Sequence, residues 1–131
     1  MVSTNKKIIH TDQAPQAIGN YSQAIQAGDT VYISGQIPLC PQTMQLIEGS
    51  FAEQAHQMFK NLRAVVQAAG AEMSDVIKVT LYLTEMNNFA VANEVMACYF
   101  SQPYPARSAI GVAQLPKGAS VEVDAILKVA V

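Results

Sequence analysis

The sequence predicts an α/β sandwich in which one mixed β-sheet carries two helices on one face. Three observations lead to this fold class. Segments rich in β-branched residues alternate with two longer segments of helical spacing, in the order β-β-β-α-β-α-β-β. The length of 131 residues favours one domain spanning residues 1–131. Half of the residues are hydrophobic and only 14% are charged, which argues against disorder.

The first three strands lie before residue 40. The segment KKIIH at 6–10 predicts a short strand. Residues 20–38 predict a hairpin, because two β-prone runs flank the Ala-Gly-Asp turn signal at 27–29.

The first helix is predicted from about residue 51 to residue 69. Ser50 and Glu53 fit a capping box, in which a hydroxyl and a carboxylate satisfy free N–H groups at a helix start. Apolar residues then recur at helical spacing, and Gly70 provides a natural C-terminal stop.

The second half of the chain predicts a strand, a helix and two further strands. Enrichment in Val, Ile and Tyr indicates a strand at 75–84, and residues 88–100 indicate a helix with Asn88 as its N-cap. Residues 107–114 and 120–130 are the last two strands, which we expect to form a hairpin through the LPKGA segment.

The final strand alternates between apolar and mostly polar side chains. The apolar positions share one face: Val121, Val123, Ala125, Leu127 and Val129. With both helices on one side of the sheet, the other side is expected to keep apolar side chains that no helix covers. A closed ring of subunits would bury that face symmetrically.

The composition excludes several classes of function. The eight basic residues are scattered and the net charge is −2, which argues against nucleic-acid binding. No apolar run approaches the ~20 residues that span a membrane, and the N-terminus does not resemble a secretory signal. Cys40 and Cys98 are expected to be free thiols in a reducing cytosol. His10 and His56 lack metal-ligand spacing, so no metal site is predicted.

Arg107 is the sharpest candidate for a functional side chain, since the chain has only two arginines. Its guanidinium is permanently charged and offers two parallel donors that match a carboxylate. The residues predicted to share its face of the strand are small: Ala109, Gly111 and Ala113. They would leave an open groove that suits a small carboxylic acid. The alternative is a structural salt bridge to Glu122 or Asp124.

Four other side chains are candidates of lower specificity. Glu122 sits inside an apolar strand, a costly place for a lone carboxylate, and would hold a water or accept its proton. The alternative is a solvated residue at the rim of the sheet. Asn93 is expected within the apolar stripe of the second helix, bonded to a strand carbonyl or to a ligand. Tyr21 and Ser34 lie on the predicted hairpin, where such residues are usually scaffold.

Four segments together resemble the reactive intermediate deaminase family (RidA or YjgF-like, also labelled endoribonuclease L-PSP). They are IGNYSQAI (18–25), ISGQIP (33–38), NNFAVANEV (87–95) and PARSAIGVAQLPKGASVEVDAI (105–126). The resemblance implies a chorismate-mutase-like fold and a homotrimer with a central barrel, in which ligand clefts form between neighbouring subunits.

The resemblance also implies a reaction and roles for the candidate residues. Enamine or imine intermediates such as 2-iminobutanoate and 2-iminopropanoate would be hydrolysed to 2-oxo acids and ammonium in the cytoplasm, without a metal or organic cofactor. Arg107 would bind the substrate carboxylate, and Glu122 would hold or activate the hydrolytic water. Other groups would line the cleft: Tyr21, Ser34, Asn93 and the backbone near Ala109.

Two positions depart from the pattern of the family. Asn20 stands where a proline often precedes the tyrosine, and Ala109 stands where many deaminases have cysteine. Imine hydrolysis needs no thiol, so the predicted activity is unaffected. Two alternative functions remain: a non-catalytic trimer that binds 2-oxo acids, and an endoribonuclease or translation inhibitor. The scattered lysines and a pI of about 5.5 speak against the nuclease.

Overall fold

The structure of the protein is a computed structural model that describes residues 5–130. Residues 1–4 and 131, the ends of the predicted domain, lie outside the described residues. Within 5–130 the six strands and two helices follow the predicted order: β1 (Lys6–Ile9), β2 (Ala24–Ala27), β3 (Thr30–Gln36), α1 (Phe51–Ala68), β4 (Val76–Leu83), α2 (Phe89–Met96), β5 (Ala106–Gly111) and β6 (Val121–Lys128). The predicted fold class is confirmed.

The strands form one mixed sheet in the order β1-β2-β3-β6-β4-β5. All neighbours are antiparallel except β4 and β5, which are parallel. The predicted hairpin of the last two strands is therefore wrong, because β4 lies between β5 and β6. Parallel neighbours need a crossover, which α2 supplies between β4 and β5. The longer and more apolar β6 takes a central position with both edges paired.

Helix α1 begins at the predicted capping box. The N–H of Glu53 donates to Ser50 Oγ at 3.2 Å, and the N–H of Ser50 donates to Glu53 Oε1 at 3.3 Å. The helix ends at the C-cap Ala69, and Gly70 follows with a φ of 81°. Its apolar side chains are fully buried against the sheet: Ala55, Met58, Phe59, Leu62, Val65 and Val66.

Helix α2 is shorter than predicted, because it ends at Met96 rather than near residue 100. Residues 97–100 continue as hydrogen-bonded turns, with the N–H groups of Tyr99 and Phe100 donating to the Met96 carbonyl. Asn88 occupies the N-cap position but makes no side-chain capping bond. Asn88 is the last residue of a preceding 3-10 turn and already has helical backbone geometry, so its side-chain amide has no capping role.

The alternation of β6 is confirmed, and it separates a helix-covered face from an open face. Val121, Val123, Ala125 and Leu127 are buried beneath the helices. On the open face the registers align one apolar row across four strands: Ile8, Ile25, Tyr32 and Ile126. Ile8 is 68% exposed and Tyr32 is 53% exposed. At the opposite edge Ile110 of β5 is 43% exposed on the same face, and most of the side chains between are polar. The predicted apolar open face is therefore present in part.

Candidate active site

A cleft of about 630 Å³ lies on the open face, where β3 and β6 meet the loops before β2 and after β3. We call it the Glu122 cleft. It contains three predicted site residues: Tyr21, Ser34 and Glu122. The remaining wall is mostly apolar, with Ile37 and Leu39 among its side chains. A small organic acid fits such a space, since ligand sites are mostly apolar with a few placed polar groups.

Glu122 is the chemically distinctive group of this cleft. It lies in β6 directly across from Tyr82 of β4. Burial, and secondly the nearby charge of Asp124, raise the pKa of the Glu122 carboxyl. The salt bridges between described residues join other groups, His10 with Asp12 and Lys128 with Asp29. A half-buried carboxylate with a raised pKa, and with no cation paired to it among the described residues, is suited to accept a proton from water.

The backbone of β3 approaches this carboxylate at Gly35. A β-carbon placed on Gly35 would lie 1.7 Å from Glu122 Oε2 and 2.8 Å from Cδ. The pairing of β3 with β6 is irregular at this point, between Ile33 and Gln36. Sequence reasoning missed Gly35, although a glycine inside a strand pattern is a known signal of a bulge or a close approach.

Ser34 is fixed by two bonds to the loop before β2. Its hydroxyl donates to the Ser22 carbonyl at 2.5 Å, and its N–H donates to the Gln23 carbonyl at 2.9 Å. Because the hydroxyl proton is used in this way, Ser34 Oγ presents lone pairs to the cleft. Tyr21, two residues before Gln23, is 54% exposed at the rim.

Two buried amides hold the walls of the Glu122 cleft, and sequence reasoning found neither. Gln23 Nε2 donates to the Thr11 and Pro15 carbonyls at 3.0 and 2.8 Å. Asn61 of α1 donates through Nδ2 to the carbonyls of Ile37 and Leu39 at 3.0 and 2.9 Å. Both residues occupy positions whose burial only the tertiary structure reveals, so no local pattern distinguishes them from surface amides.

Asp124 and Tyr82 extend the polar part of the open face beside Glu122. The Tyr82 hydroxyl donates to Asp124 Oδ2 at 2.8 Å. This bond to a carboxylate, together with burial, raises the pKa of Tyr82 to about 12. Tyr82 therefore stays protonated at physiological pH and keeps the Asp124 charge fixed near Glu122.

Arg107 lies on the other face of the sheet, in a second cleft of about 400 Å³. We call this the Arg107 cleft, and its further lining comes from α2 and the segment before β5: Asn93, Met96, Ala97, Phe100, Tyr104 and Pro105. Arg107 is paired with Val79 on the helix-covered side, whereas Glu122 is paired with Tyr82 on the open side. The structural salt bridge considered for Arg107 is therefore absent from the described residues.

The guanidinium of Arg107 is held in place but not neutralised. Its Nη1 donates to Asn93 Oδ1 at 2.5 Å, and its carbon lies 5.0 Å from the centre of the Phe89 ring. A guanidinium has five N–H donors, so several remain for an anion. Asn93 is exposed rather than buried in the apolar stripe as expected, because the buried face of α2 consists of Ala92, Val95 and Met96.

The small residues expected in front of Arg107 do not form its groove. Ala109 is half-buried and packs against the core, and Ala113 lies beyond the end of β5. The groove is bounded instead by α2, which sequence reasoning could not place beside β5. Asn20, the other departure from the family pattern, is exposed next to Tyr21.

Other candidate groups lie apart from these clefts. Cys40 and Cys98 are both unpaired. His56 Nδ1 lies 2.9 Å from the Tyr99 hydroxyl between the helices. Residues 5–130 contain no group of three or more His, Cys, Asp or Glu side chains that could hold a metal ion. Over the same range, no helix combines the length and hydropathy needed to cross a membrane.

Known proteins are similar to this chain both in sequence and in fold. The family model described as endoribonuclease L-PSP matches residues 11–129. A Dermatophagoides farinae protein named 2-iminobutanoate/2-iminopropanoate deaminase is 50% identical over 122 residues, covering 93% of this chain and 95% of that protein. A Homo sapiens protein of the same name is 44% identical, covering 96% and 92%.

Two crystal structures show the same similarity in three dimensions. RidA from an Antarctic Psychrobacter is 51% identical, with a TM-score of 0.90 over 94% of this chain and 99% of that one. Escherichia coli TdcF with bound serine is 44% identical, with a TM-score of 0.90 over 95% and 100%.

Proposed function

Because the chain belongs to the endoribonuclease L-PSP family, which includes RidA, we propose that it is a 2-iminobutanoate/2-iminopropanoate deaminase. Relatives with this name are 44–50% identical to it over nearly the whole chain. The reaction adds water to the C=N bond of a 2-imino acid and then releases ammonia, so that a 2-oxo acid and ammonium remain. The observation that carries the proposal is the half-buried carboxylate of Glu122 at the wall of an open cleft, which has no ion-pair partner among residues 5–130.

The working site is shared between subunits of a homotrimer. Within one chain Arg107 and Glu122 lie on opposite faces of the sheet and line different clefts. A substrate of three or four carbons is too short to reach both through the sheet. A neighbouring copy that packs against the open face would bring its Arg107 to this chain's Glu122. The apolar row formed by Ile8, Ile25, Tyr32 and Ile126 supports this packing, because exposed apolar surface favours association.

Orientation supplies most of the catalysis. The Arg107 guanidinium binds the substrate carboxylate with two parallel N–H···O bonds, which places the imine carbon beside the water at Glu122. The carboxylate of Glu122 takes a proton from this water as its oxygen bonds to the imine carbon. The imine nitrogen enters protonated, so the adduct carries a neutral amino group. Glu122 returns its proton to that nitrogen, and the C–N bond breaks as the C=O bond forms. The hydroxyl proton passes through Glu122 to the departing ammonia, which leaves as ammonium. Tyr21 and Ser34 line the Glu122 cleft, and Asn93 lines the Arg107 cleft and orders the guanidinium.

The test is to generate 2-iminobutanoate in situ and to follow its loss with and without the native protein. Arg107→Ala removes two charge-assisted hydrogen bonds, each of about 1.5–3 kcal/mol. We therefore expect kcat/KM to fall about 150-fold or more, since about 1.4 kcal/mol corresponds to a factor of ten. Arg63→Ala is the matched control, because this arginine lies over the Tyr99 ring, away from both clefts. Full activity of Arg107→Ala would refute the assignment.

A second function is a trimer that binds a small carboxylate without turnover. One observation favours it, since TdcF was crystallised with bound serine. If Glu122→Gln keeps the affinity for 2-oxobutanoate and the native protein gives no turnover, this second function is correct. The two free thiols support a reducing compartment such as the cytoplasm for either function.

A further inference from the structure

The contact between Gly35 and Glu122 is closer than any side chain at position 35 would permit. An added β-carbon would lie 1.7 Å from Glu122 Oε2, 2.8 Å from Cδ and 3.3 Å from Cγ. The terminal half of the glutamate therefore lies directly against the β3 backbone. Unlike Gly28 and Gly70, Gly35 does not have a positive φ, so the local backbone conformation does not itself require glycine.

The backbone on either side of Gly35 is fixed. Ser34 is bonded through its N–H and its hydroxyl to the loop before β2. Gln36 is buried, returns to register with Val123, and donates from Nε2 to the Ser34 carbonyl at 3.2 Å. Position 35 thus cannot move away from β6 to make room for a methyl group. The Glu122 side chain, which is flexible, would have to rotate instead.

We infer that Gly35 is a positioning residue for the proposed deaminase: its missing side chain creates the surface on which the Glu122 carboxylate rests, aimed into the Glu122 cleft. This inference rests on the proposed function and adds a residue to it. Displacing a reacting group by about 1 Å costs about 100-fold in rate. The substitution Gly35→Ala should therefore impair catalysis much more than folding, because the glutamate can rotate outward while the β3 backbone stays in place.

Kinetics of Gly35→Ala give the first test. We expect kcat for 2-iminobutanoate to fall about 100-fold, with KM changed less than threefold because Arg107 still holds the carboxylate. The melting temperature should stay the same or rise, since replacing glycine where the backbone is compatible restricts the unfolded chain. Gly28→Ala is the matched control: its φ of 63° makes that variant less stable, but it lies in the β2–β3 turn and should keep the native kcat. A Gly35→Ala variant with a native kcat would overturn the inference.

Titration of the Glu122 carboxyl by ¹³C NMR tests the same inference without any activity. The ionisable groups that face Glu122 or line its cleft are Asp124, Tyr82, Tyr21 and Lys117. In Gly35→Ala the Glu122 carboxylate leaves its half-buried position. The midpoint of its titration should therefore fall toward that of an exposed glutamate. An unchanged midpoint would overturn the inference even if the native protein proves inactive, which by itself would refute only the proposed function.

A double variant decides the case in which Gly35→Ala does not fold. If Gly35→Ala/Glu122→Ala folds, the clash with Glu122 is the cause and the contact on which the inference rests is confirmed, although the expected outward rotation of the glutamate is then wrong. If the double variant also fails to fold, glycine is needed by the β3 backbone itself and the positioning role is wrong.

Discussion

Mixing two inactive variants should restore activity if each cleft takes Arg107 from one subunit and Glu122 from its neighbour. Arg107→Ala supplies an intact Glu122, and Glu122→Gln supplies an intact Arg107. In trimers assembled at random from equal amounts, each cleft has an intact arginine with probability one half and an intact glutamate with probability one half. About one quarter of the clefts would then be native, so the mixture should show about a quarter of the native kcat/KM.

The assay is loss of 2-iminobutanoate after the two variants are unfolded together in urea and refolded at a fixed protomer concentration. Each variant refolded alone is the baseline. A sharper comparison mixes the native chain with the Arg107→Ala/Glu122→Gln double variant. A cleft shared between chains leaves about one quarter of the native activity, whereas a cleft within one chain leaves about one half. A mixture of single variants no more active than their mean would refute the shared cleft.

Two further predictions concern the walls and the base of the Glu122 cleft. Asn61→Ala leaves two carbonyls, those of Ile37 and Leu39, without their donor, and urea unfolding should show a loss of about 3 kcal/mol. Gln57→Ala is the control: it leaves one acceptor, Asn61 Oδ1, without its donor and should lose about 1 kcal/mol. Equal losses would contradict this reasoning. Glu122→Gln should lower kcat about 100-fold yet raise stability at pH 7. The raised pKa means that the folded state holds the Glu122 proton more tightly than the unfolded chain does. The protonated carboxyl therefore stabilises the native protein fully below the unfolded pKa, and this contribution is lost as pH rises through the folded pKa. The difference in stability between Glu122→Gln and the native protein should therefore vanish at about pH 4. A difference that does not depend on pH would refute the raised pKa of Glu122 as its cause.

The sequence predicts the elements of this fold better than their partners. The strand expected at 75–84 is found as Val76–Leu83, because enrichment in Val, Ile and Tyr is a local signal. The choice of partner strand is not a local property, and the predicted hairpin of β5 and β6, which are adjacent in sequence, is wrong. Nothing within residues 105–130 reports that α2 delivers β5 parallel to β4, since that arrangement depends on packing between distant parts of the chain.

The candidate site shows the same division between local and tertiary signals. Glu122 is found from sequence because a carboxylate interrupts an apolar strand, and Arg107 because guanidinium is rare in this chain. Asn61 and Gln23 look like ordinary polar positions until the fold buries them. Gly35 carries a weak local signal, but the group that it accommodates lies 87 residues away, and only the pairing of β3 with β6 brings the two together.

The open face explains why a chain so poor in charge keeps two acidic groups side by side on its central strand. Glu122 and Asp124 face the same side of β6, and burial, with the charge of Asp124 as the second cause, raises the pKa of the Glu122 carboxyl. If a neighbouring subunit covers that face, water is excluded and the repulsion strengthens, which raises the proton affinity of Glu122 further. In the proposed trimer the neighbour's Arg107 would enter the same space and would pair with the substrate carboxylate. Assembly would thus deliver the anion-binding group to the base, and the substrate carboxylate would neutralise the Arg107 charge that otherwise lowers the proton affinity of Glu122. This argues that the subunit alone is only half of an active site.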